Sequence, residues 1–595
     1  MITYRSPLDD IRFALHELWD YEGAVAALPG YQDATAEAVD AVIETAARFC
    51  ENELLPLNAP GDAEGCTFEN GVVHTPEGFK EAYRAFVEGG WAGLACDPEY
   101  GGQGLPKVVQ FILDELICST NLSFGTYPGL TQGAYNALTL HANEEQKRLF
   151  LPKLAEGVWS GTMCLTEPQC GTDLGLIRTK AEPNGDGDYD ITGTKIFISA
   201  GEHDLTENIV HLVLARLPDA PAGTRGISLF IVPKFLVAPD GSLGTSNGVS
   251  CGSIEHKMGI RASATCVMNF ADARGQLIGE PHKGMRYMFT MMNVARLGVG
   301  IQGLALAETA YQSAAAYAKE RLQGRALSGP RYPDRPADPI IVHPDVRKNL
   351  LTIRAYNEGA RALALWIGMA VDVAAKHPDP ARRVEADDLV ALMTPIIKAF
   401  FTDYGFEATN LGLQVFGGHG YIRETGMEQL VRDARIAQLY EGANGIQALD
   451  LVGRKMGQHT GRLLRRFFHP VFRFLEETQG EAELQAFVGP LAKATARLQQ
   501  TTLWLAQAAF KDHKQAGAAA SDYLRLFALV ALAYVWARTA KAAIAGLGGD
   551  RDDFYKAKLA TGRFFMARLL PQVSGLANAI TAGAETITEI PDDWF

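Results

Sequence analysis

Leu439-Tyr440-Glu441-Gly442-Ala443-Asn444-Gly445-Ile446-Gln447 places one carboxylate between an apolar pair and two glycines. A charged run containing Arg432, Asp433 and Arg435 precedes it, and an apolar helical pattern reaching Val452 follows. Leu439 and Tyr440 should draw the backbone inward, whereas Gly442 and Gly445 permit a sharp turn and a close approach of a ligand to the main chain. A carboxyl group held there is drawn out of water and is a stronger base once ionised. Local sequence alone equally accommodates a helix-terminal glutamate on a solvated turn.

Upstream of it stands Gln414-Val415-Phe416-Gly417-Gly418-His419-Gly420-Tyr421, and far upstream Cys164-Leu165-Thr166-Glu167-Pro168, followed by Gly171-Thr172-Asp173. Together and in this order the pieces resemble the acyl-CoA dehydrogenase family of flavoproteins. The resemblance implies a mainly α fold with a central β-domain: an N-terminal helical domain, a middle β-barrel or sandwich and a C-terminal helical bundle. An extra C-terminal helical domain then places the chain in a subgroup whose substrates include 3-(methylthio)propanoyl-CoA, as well as medium or long straight-chain thioesters.

That resemblance implies FAD-dependent removal of the α and β hydrogens of an acyl-CoA, giving a trans-2-enoyl-CoA. Glu441 takes the position of the base for the α proton, and the β hydrogen leaves as hydride to the flavin. An α proton beside a thioester is weakly acidic, so a base and a polarised carbonyl are both needed. The carbonyl's partners are the backbone N–H of Glu441, next to flexible Gly442, and the ribityl hydroxyl of FAD. In some members the base precedes a helical arginine instead. Here that arginine is Arg296, a substrate-adjacent or structural residue in an apolar run, and Ala295 before it carries no carboxylate.

The flavin contacts carried over are Met163, Cys164, Leu165 and Thr166 on one strand, and Phe197 and Ser199 on another, where the family usually has tryptophan and threonine. Arg321 matches the arginine that holds the pyrophosphate, a task suited to a planar guanidinium fork. Gln323 stands beside it, and Gln323 and Gly324 replace an aromatic residue of the family pattern. Gln414, Gly417 and Gly418 match a motif that grips the adenine half from a neighbouring subunit, which implies a homo-oligomer, with a dimer favoured. Thr172 corresponds to a hydroxyl on the CoA arm. His419 lies inside the glycine motif without an assigned role, and Ala443 lacks the hydroxyl common after Glu-Gly.

At 595 residues the chain is long enough for several domains, and its composition is that of a globular protein. A net charge of −14 argues against wholesale affinity for nucleic acid or anionic membrane. The eight cysteines show no metal or disulfide spacing, so no metal is expected and reduced thiols fit the cytoplasm. The N-terminus lacks the apolar core of a signal peptide, and the most apolar run, 526–537, is too short to span a bilayer.

In chain order, helical spacing marks an N-terminal extension (1–32), containing a short helix, and an N-terminal helical domain (33–160) that starts with a long helix to residue 57 and a Gly-rich loop. Alternation then marks a middle β-domain (161–282), with strands at 189–193, 195–199, 209–216, 226–232 and 265–270 and a turn at Asn184-Gly185-Asp186-Gly187. Helices return in a C-terminal catalytic domain (283–458), broken by a Pro-rich excursion at 329–344, and again in the added domain (459–595). Electron-transferring flavoprotein is the electron acceptor that the family implies. A DNA-associated alkylation-response flavoprotein of the same fold is the competing reading. It rests on Arg454, Lys455, Arg462, Arg465, Arg466 and Arg473, but Phe467, Phe468, Phe472 and Phe474 among them fit a packed helix with a charged outer face.

Overall fold

The computed structural model describes residues 2–185 and 187–595, so Asp186 of the turn expected at 184–187 lies outside the described residues. The chain forms two compact units. One contains residues 46–105 and 116–298, and the other residues 1–45, 106–115 and 299–595.

The first unit is built on a seven-stranded sheet. Thr265–Leu277 pairs with Tyr189–Ser199, which pairs with Lys180–Pro183, which meets Asn208–Arg216. Ile227–Pro233 bonds both Asn208–Arg216 and Thr265–Leu277 and so closes these strands into a ring. Val249–Ile254 and Trp159–Cys164 extend it at either side. Alternation along Asn208–Arg216 sends Val213 and Ala215 into a core with Ala181, Ile191, Phe230 and Met268. The intervening Val210, Leu212 and Leu214 pack with Ala134, Leu138, Phe150 and Leu154 of the helices Leu122–His141 and Glu144–Glu156. Both faces of that strand are therefore covered, and it is apolar almost throughout.

Two expectations need correction. The helix that begins the N-terminal domain does not give way to a loop after residue 57 but continues as Leu55–Glu64, followed by the hairpin Thr67–Glu69 and Val72–His74. Pro56 falls in the first turn of that helix, where a missing N–H is tolerated, and Gly61 sits against Phe79, 2.7 Å from where a Cβ would stand. The segments 189–193 and 195–199 are one strand, bulged against Thr265–Leu277 near Phe197.

In the second unit the long helices Pro344–Lys376 and Pro380–Phe416 pack with the C-terminal part of Gly284–Glu320. Backbones touch where Gly303 and Gly405 meet: a Cβ on Gly405 would lie 2.5 Å from Gly303 O. The added block contributes Arg462–Glu477, Gln485–Lys511, His513–Ala545 and Asp552–Phe564. The apolar run at 526–537 belongs to a 33-residue helix, long and apolar enough to cross a bilayer, but 78% of its most apolar window is buried within the protein. Burial, not length, marks it as a core helix. Arg462 and Arg466 pair with Asp388, Arg466 also with Glu385, and Arg454 with Asp450, while Phe467, Phe468 and Phe474 are buried. These arginines neutralise acids of their own unit.

Candidate active site

Glu441 sits between the short turn Ile436–Gln438 and the helix Asn444–Asp450, at φ 55°, with Gly442 next to it at φ 83°. A glutamate in this region costs of order 1 kcal/mol or more and persists only where its surroundings over-determine it. They do so here through one face of Pro380–Phe416. Lys398, with no exposed surface, donates from Nζ to Gly442 O and to Asn444 Oδ1, both at 2.8 Å. Asn444 Nδ2 donates to Asp403 Oδ1 at 2.6 Å, to Thr402 Oγ1 at 2.9 Å and to Ala399 O at 3.1 Å. Gln447 Nε2 reaches the carbonyls of Glu441 and Gly442 at 3.2 and 3.3 Å.

The apolar pair does less than expected. Leu439 is 52% exposed, and Tyr440 is anchored by its hydroxyl on Gln302 Oε1. Polar tethers therefore set this turn. Ala443 stands at the helix N-cap and makes no side-chain capping bond, in keeping with its missing hydroxyl.

On the same unit Gln414 lies in the last turn of Pro380–Phe416, and Gly417 ends that helix at φ 59° and ψ −138°. A Cβ on Gly417 or on Gly418 would meet nothing within 4 Å, so backbone and open space are both available there. His419 Nδ1 lies 3.0 Å from the Tyr317 hydroxyl, and Tyr317 stacks on Phe416 at 4.2 Å, so that imidazole braces the motif. Arg321 and Gln323 are exposed side chains on a backbone fixed by pairing with 338–340: Gln323 N donates to Asp338 O, and Ile340 N to Arg321 O. The Pro-rich excursion is organised around Asp338. Its carboxylate is fully buried and accepts from the N–H groups of Ala326, Arg331 and Tyr332.

The remaining candidates lie on the sheet unit. Met163, Leu165 and Thr166 are half-exposed, whereas Cys164 is buried with Sγ 3.4 Å from Thr162 Oγ1, so only its backbone can serve a ligand. The segment is tied to the 195–199 strand at two points: Ile196 N donates to Thr166 O at 2.9 Å, and Lys195 Nζ to Leu165 O at 3.0 Å. Phe197 adopts φ 58° at the strand bulge, which turns its ring outward to 60% exposure. Bulges of this kind re-aim side chains beside active sites. Ser199 is half-buried and pairs in register with Thr265. Thr172 is exposed in the loop after Glu167, and Arg296 is 5% exposed with its guanidinium over the Phe289 ring. Among the described residues no group of three or more His, Cys, Asp or Glu could hold a metal.

Glu167 and Lys195 were not anticipated as a pair. Both are buried, their charges meet at 2.8 Å, and Glu167 also accepts from Arg178 N, Thr179 N and Thr179 Oγ1. Burial alone would raise the Glu167 carboxyl, but the Lys195 ammonium and these donors outweigh it and hold it down at about 2. A carboxylate depressed in the folded state adds stability above its unfolded value near 4.5, lost as pH falls toward 2. Glu167→Gln leaves Lys195 buried without its charge partner and should lower unfolding stability by about 3 kcal/mol at pH 7. Denaturant unfolding followed by tryptophan fluorescence reads this loss, and an unchanged midpoint would show the pair to be neutral.

Residues 36–158, 162–273 and 282–457 match the family models for the acyl-CoA dehydrogenase N-terminal, middle and C-terminal domains, and 467–591 match "Acetyl-CoA dehydrogenase C-terminal like". The chain is 45% identical to a 3-methylmercaptopropionyl-CoA dehydrogenase of Ruegeria pomeroyi over 98% of this chain and 99% of that one. The chain belongs to the acyl-CoA dehydrogenase family. It is 33% identical, over the whole of both chains, to a broad-specificity linear acyl-CoA dehydrogenase of Mycobacterium tuberculosis. An acyl-CoA dehydrogenase of Bacillus anthracis solved with FAD superposes with a TM-score of 0.74 at 22% identity, covering 94% of this chain and 90% of that one. This member of the family is an FAD-dependent oxidoreductase acting on an acyl-CoA. The residues present suit that cofactor: an outward aromatic ring at Phe197, open backbone at Gly417 and Gly418, and an exposed guanidinium at Arg321. The unanticipated residues are Lys398, Asn444, Gln447 and the Glu167–Lys195 pair. For Lys398 a signal existed, a lone lysine inside Ile396-Ile397-Lys398-Ala399-Phe400-Phe401.

Proposed function

We propose that the enzyme converts 3-(methylthio)propanoyl-CoA, or a thioester of similar short chain, to its trans-2-enoyl-CoA, with Glu441 as the base. The single observation that carries the role of Glu441 is its strained backbone, held at φ 55° by a buried lysine and two amide side chains. The choice of substrate rests on the whole-length similarity to the Ruegeria pomeroyi enzyme.

In this reading the Glu441 carboxylate takes the α proton, while the backbone N–H of Glu441 donates to the thioester carbonyl and stabilises the charge that develops there. Bound FAD would supply the hydride acceptor for the β hydrogen. Met163, the backbone of Cys164, Leu165, Thr166, Phe197 and Ser199 would hold the ring, Arg321 the pyrophosphate, and Gln414, Gly417 and Gly418 of a second copy the adenine half, with Gln323 beside them. Thr172 and Arg296 attend the CoA and acyl portions. The enzyme works as a cytoplasmic homodimer and passes electrons to an electron-transferring flavoprotein. The domain limits taken from the sequence, at 32, 160, 282 and 458, serve as its working division.

Anaerobic mixing of the FAD-loaded enzyme with 3-(methylthio)propanoyl-, butanoyl-, octanoyl- and palmitoyl-CoA tests the reading. Oxidised-flavin absorbance should bleach fastest with the first. Fastest bleaching with palmitoyl-CoA would replace the short-chain reading with a long-chain one, and no bleaching with any thioester would overturn the dehydrogenase role.

A further inference from the structure

Lys398 is a residue whose burial chemistry calls for a reason. It lies mid-helix in Pro380–Phe416, fully buried, with Ile396, Ile397, Phe400 and Phe401 around it in sequence. Enclosing an ammonium costs several kcal/mol unless its hydrogen bonds are well met, and a methionine of similar reach would fill such a site more cheaply. The ammonium is turned toward the Glu441 segment, where it meets a main-chain carbonyl, Gly442 O, and an amide oxygen, Asn444 Oδ1, both at 2.8 Å.

Those acceptors flank the strained position. Gly442 O belongs to the residue directly after Glu441, and Asn444 begins the helix that follows. Thr402, one helical turn beyond Lys398, accepts from Asn444 Nδ2 at 2.9 Å, and Asp403 does so at 2.6 Å. Asp403 also accepts from Gln438 Nε2 at 2.8 Å, on the other side of Glu441. One helix face at 398, 402 and 403 thus grips the chain both before and after the carboxylate, and two successive left-handed residues lie between the grips.

We propose that Lys398 is a positioning residue for the reaction: its ammonium, through Gly442 O and Asn444 Oδ1, holds Glu441 in the left-handed conformation that aims its carboxylate at the substrate α carbon. The inference rests on the reading of Glu441 as the base and extends it to a residue with no exposed surface of its own. Without the ammonium the φ of Glu441 relaxes toward ordinary values, and the carboxylate leaves its line of attack. A misplacement of about 1 Å can cost about 100-fold in rate.

The test uses the FAD-loaded enzyme. In Lys398→Met the rate constant for flavin bleaching at saturating thioester should fall about 10- to 100-fold. Its dissociation constant for a non-reducible thioether analogue of the substrate should stay within about twofold. Hydrogen exchange of peptides covering 439–447 should quicken in the variant. If Lys398→Met does not fold, Asn444→Ala removes an arm of the same tether and should show the same split. Combining the two should add little beyond the larger single effect, because they act through one contact. A folded, flavin-loaded Lys398→Met that bleaches at the wild-type rate overturns the proposal, as does a loss of analogue binding that accounts for the whole defect. The exchange measurement repeated in a Glu441→Gln background separates the two readings. Faster exchange there shows that Lys398 holds the turn whatever Glu441 does, whereas bleaching that survives Glu441→Gln counts against the base alone.

Discussion

Glu441→Gln should leave the protein folded and loaded with FAD but slow thioester-driven flavin bleaching by about 1,000-fold or more, within the range that a positioned general base contributes. The substitution preserves the side chain's volume and its reach while removing the charge. Lys398 holds the turn through Gly442 O and Asn444 Oδ1, and Gln447 holds Glu441 by its backbone carbonyl, so these tethers survive the substitution. The flavin candidates Phe197, Arg321 and Gly417 lie on other segments, so cofactor content serves as the control. Glu441→Asp should retain more activity than glutamine yet fall well below wild type, because a shortened carboxylate keeps its charge but stands about one methylene away. Bleaching by Glu441→Gln within tenfold of wild type would assign the proton abstraction elsewhere.

The sequence carried the position of this carboxylate but not the forces that hold it. Gly442 announced a turn, and the left-handed value at Gly442 agrees with that reading. Left-handed Glu441 itself leaves no trace in composition, since glutamate has no preference for that region and only tertiary contacts impose it. Leu439 read as an inward anchor and is exposed, because a turn stapled by Lys398, Asn444 and Gln447 has no need of an apolar one. The long helices and the apolar strand Asn208–Arg216 were legible because each repeats its pattern over many residues. Short strands were not: Lys180–Pro183, Leu243–Ser246 and Val249–Ile254 alternate too briefly, and Gly244, Gly248 and Gly252 break what pattern there is. The Pro-rich segment read as an exposed excursion, and its fixed shape comes from one aspartate, Asp338, that collects main-chain donors. No periodicity encodes such a contact.

Arg361→Leu should destabilise the helical unit by about 4 kcal/mol or more near neutral pH, the upper range for breaking a buried ion pair. Arg361 is 1% exposed on Pro344–Lys376 and gathers carboxylates from remote parts of the chain: Asp10 of the N-terminal extension, Glu115, reached at 2.6 Å, and Glu308, reached at 3.0 Å. Lys558 of the added domain joins the same cluster through Asp10 and through Glu358, the latter at 2.8 Å. Burial raises the Glu115 carboxyl even with the guanidinium present. Removing the guanidinium takes away the charge that opposes the burial of Glu115 and one of the two cations that hold Asp10 down, so both carboxyls rise in the folded state. Carboxyls raised in the folded state favour folding below their unfolded values and oppose it as pH rises, so the variant should regain stability toward pH 4 to 5. Urea unfolding at several pH values reads both the loss and its recovery. Lys558→Met should cost less, because Asp10 keeps Arg361 and Glu358 keeps Arg354 at 2.6 Å. A pH-independent loss in Arg361→Leu would mean that packing around the guanidinium stem, and not its charge, joins the extension and the added domain to the catalytic helices.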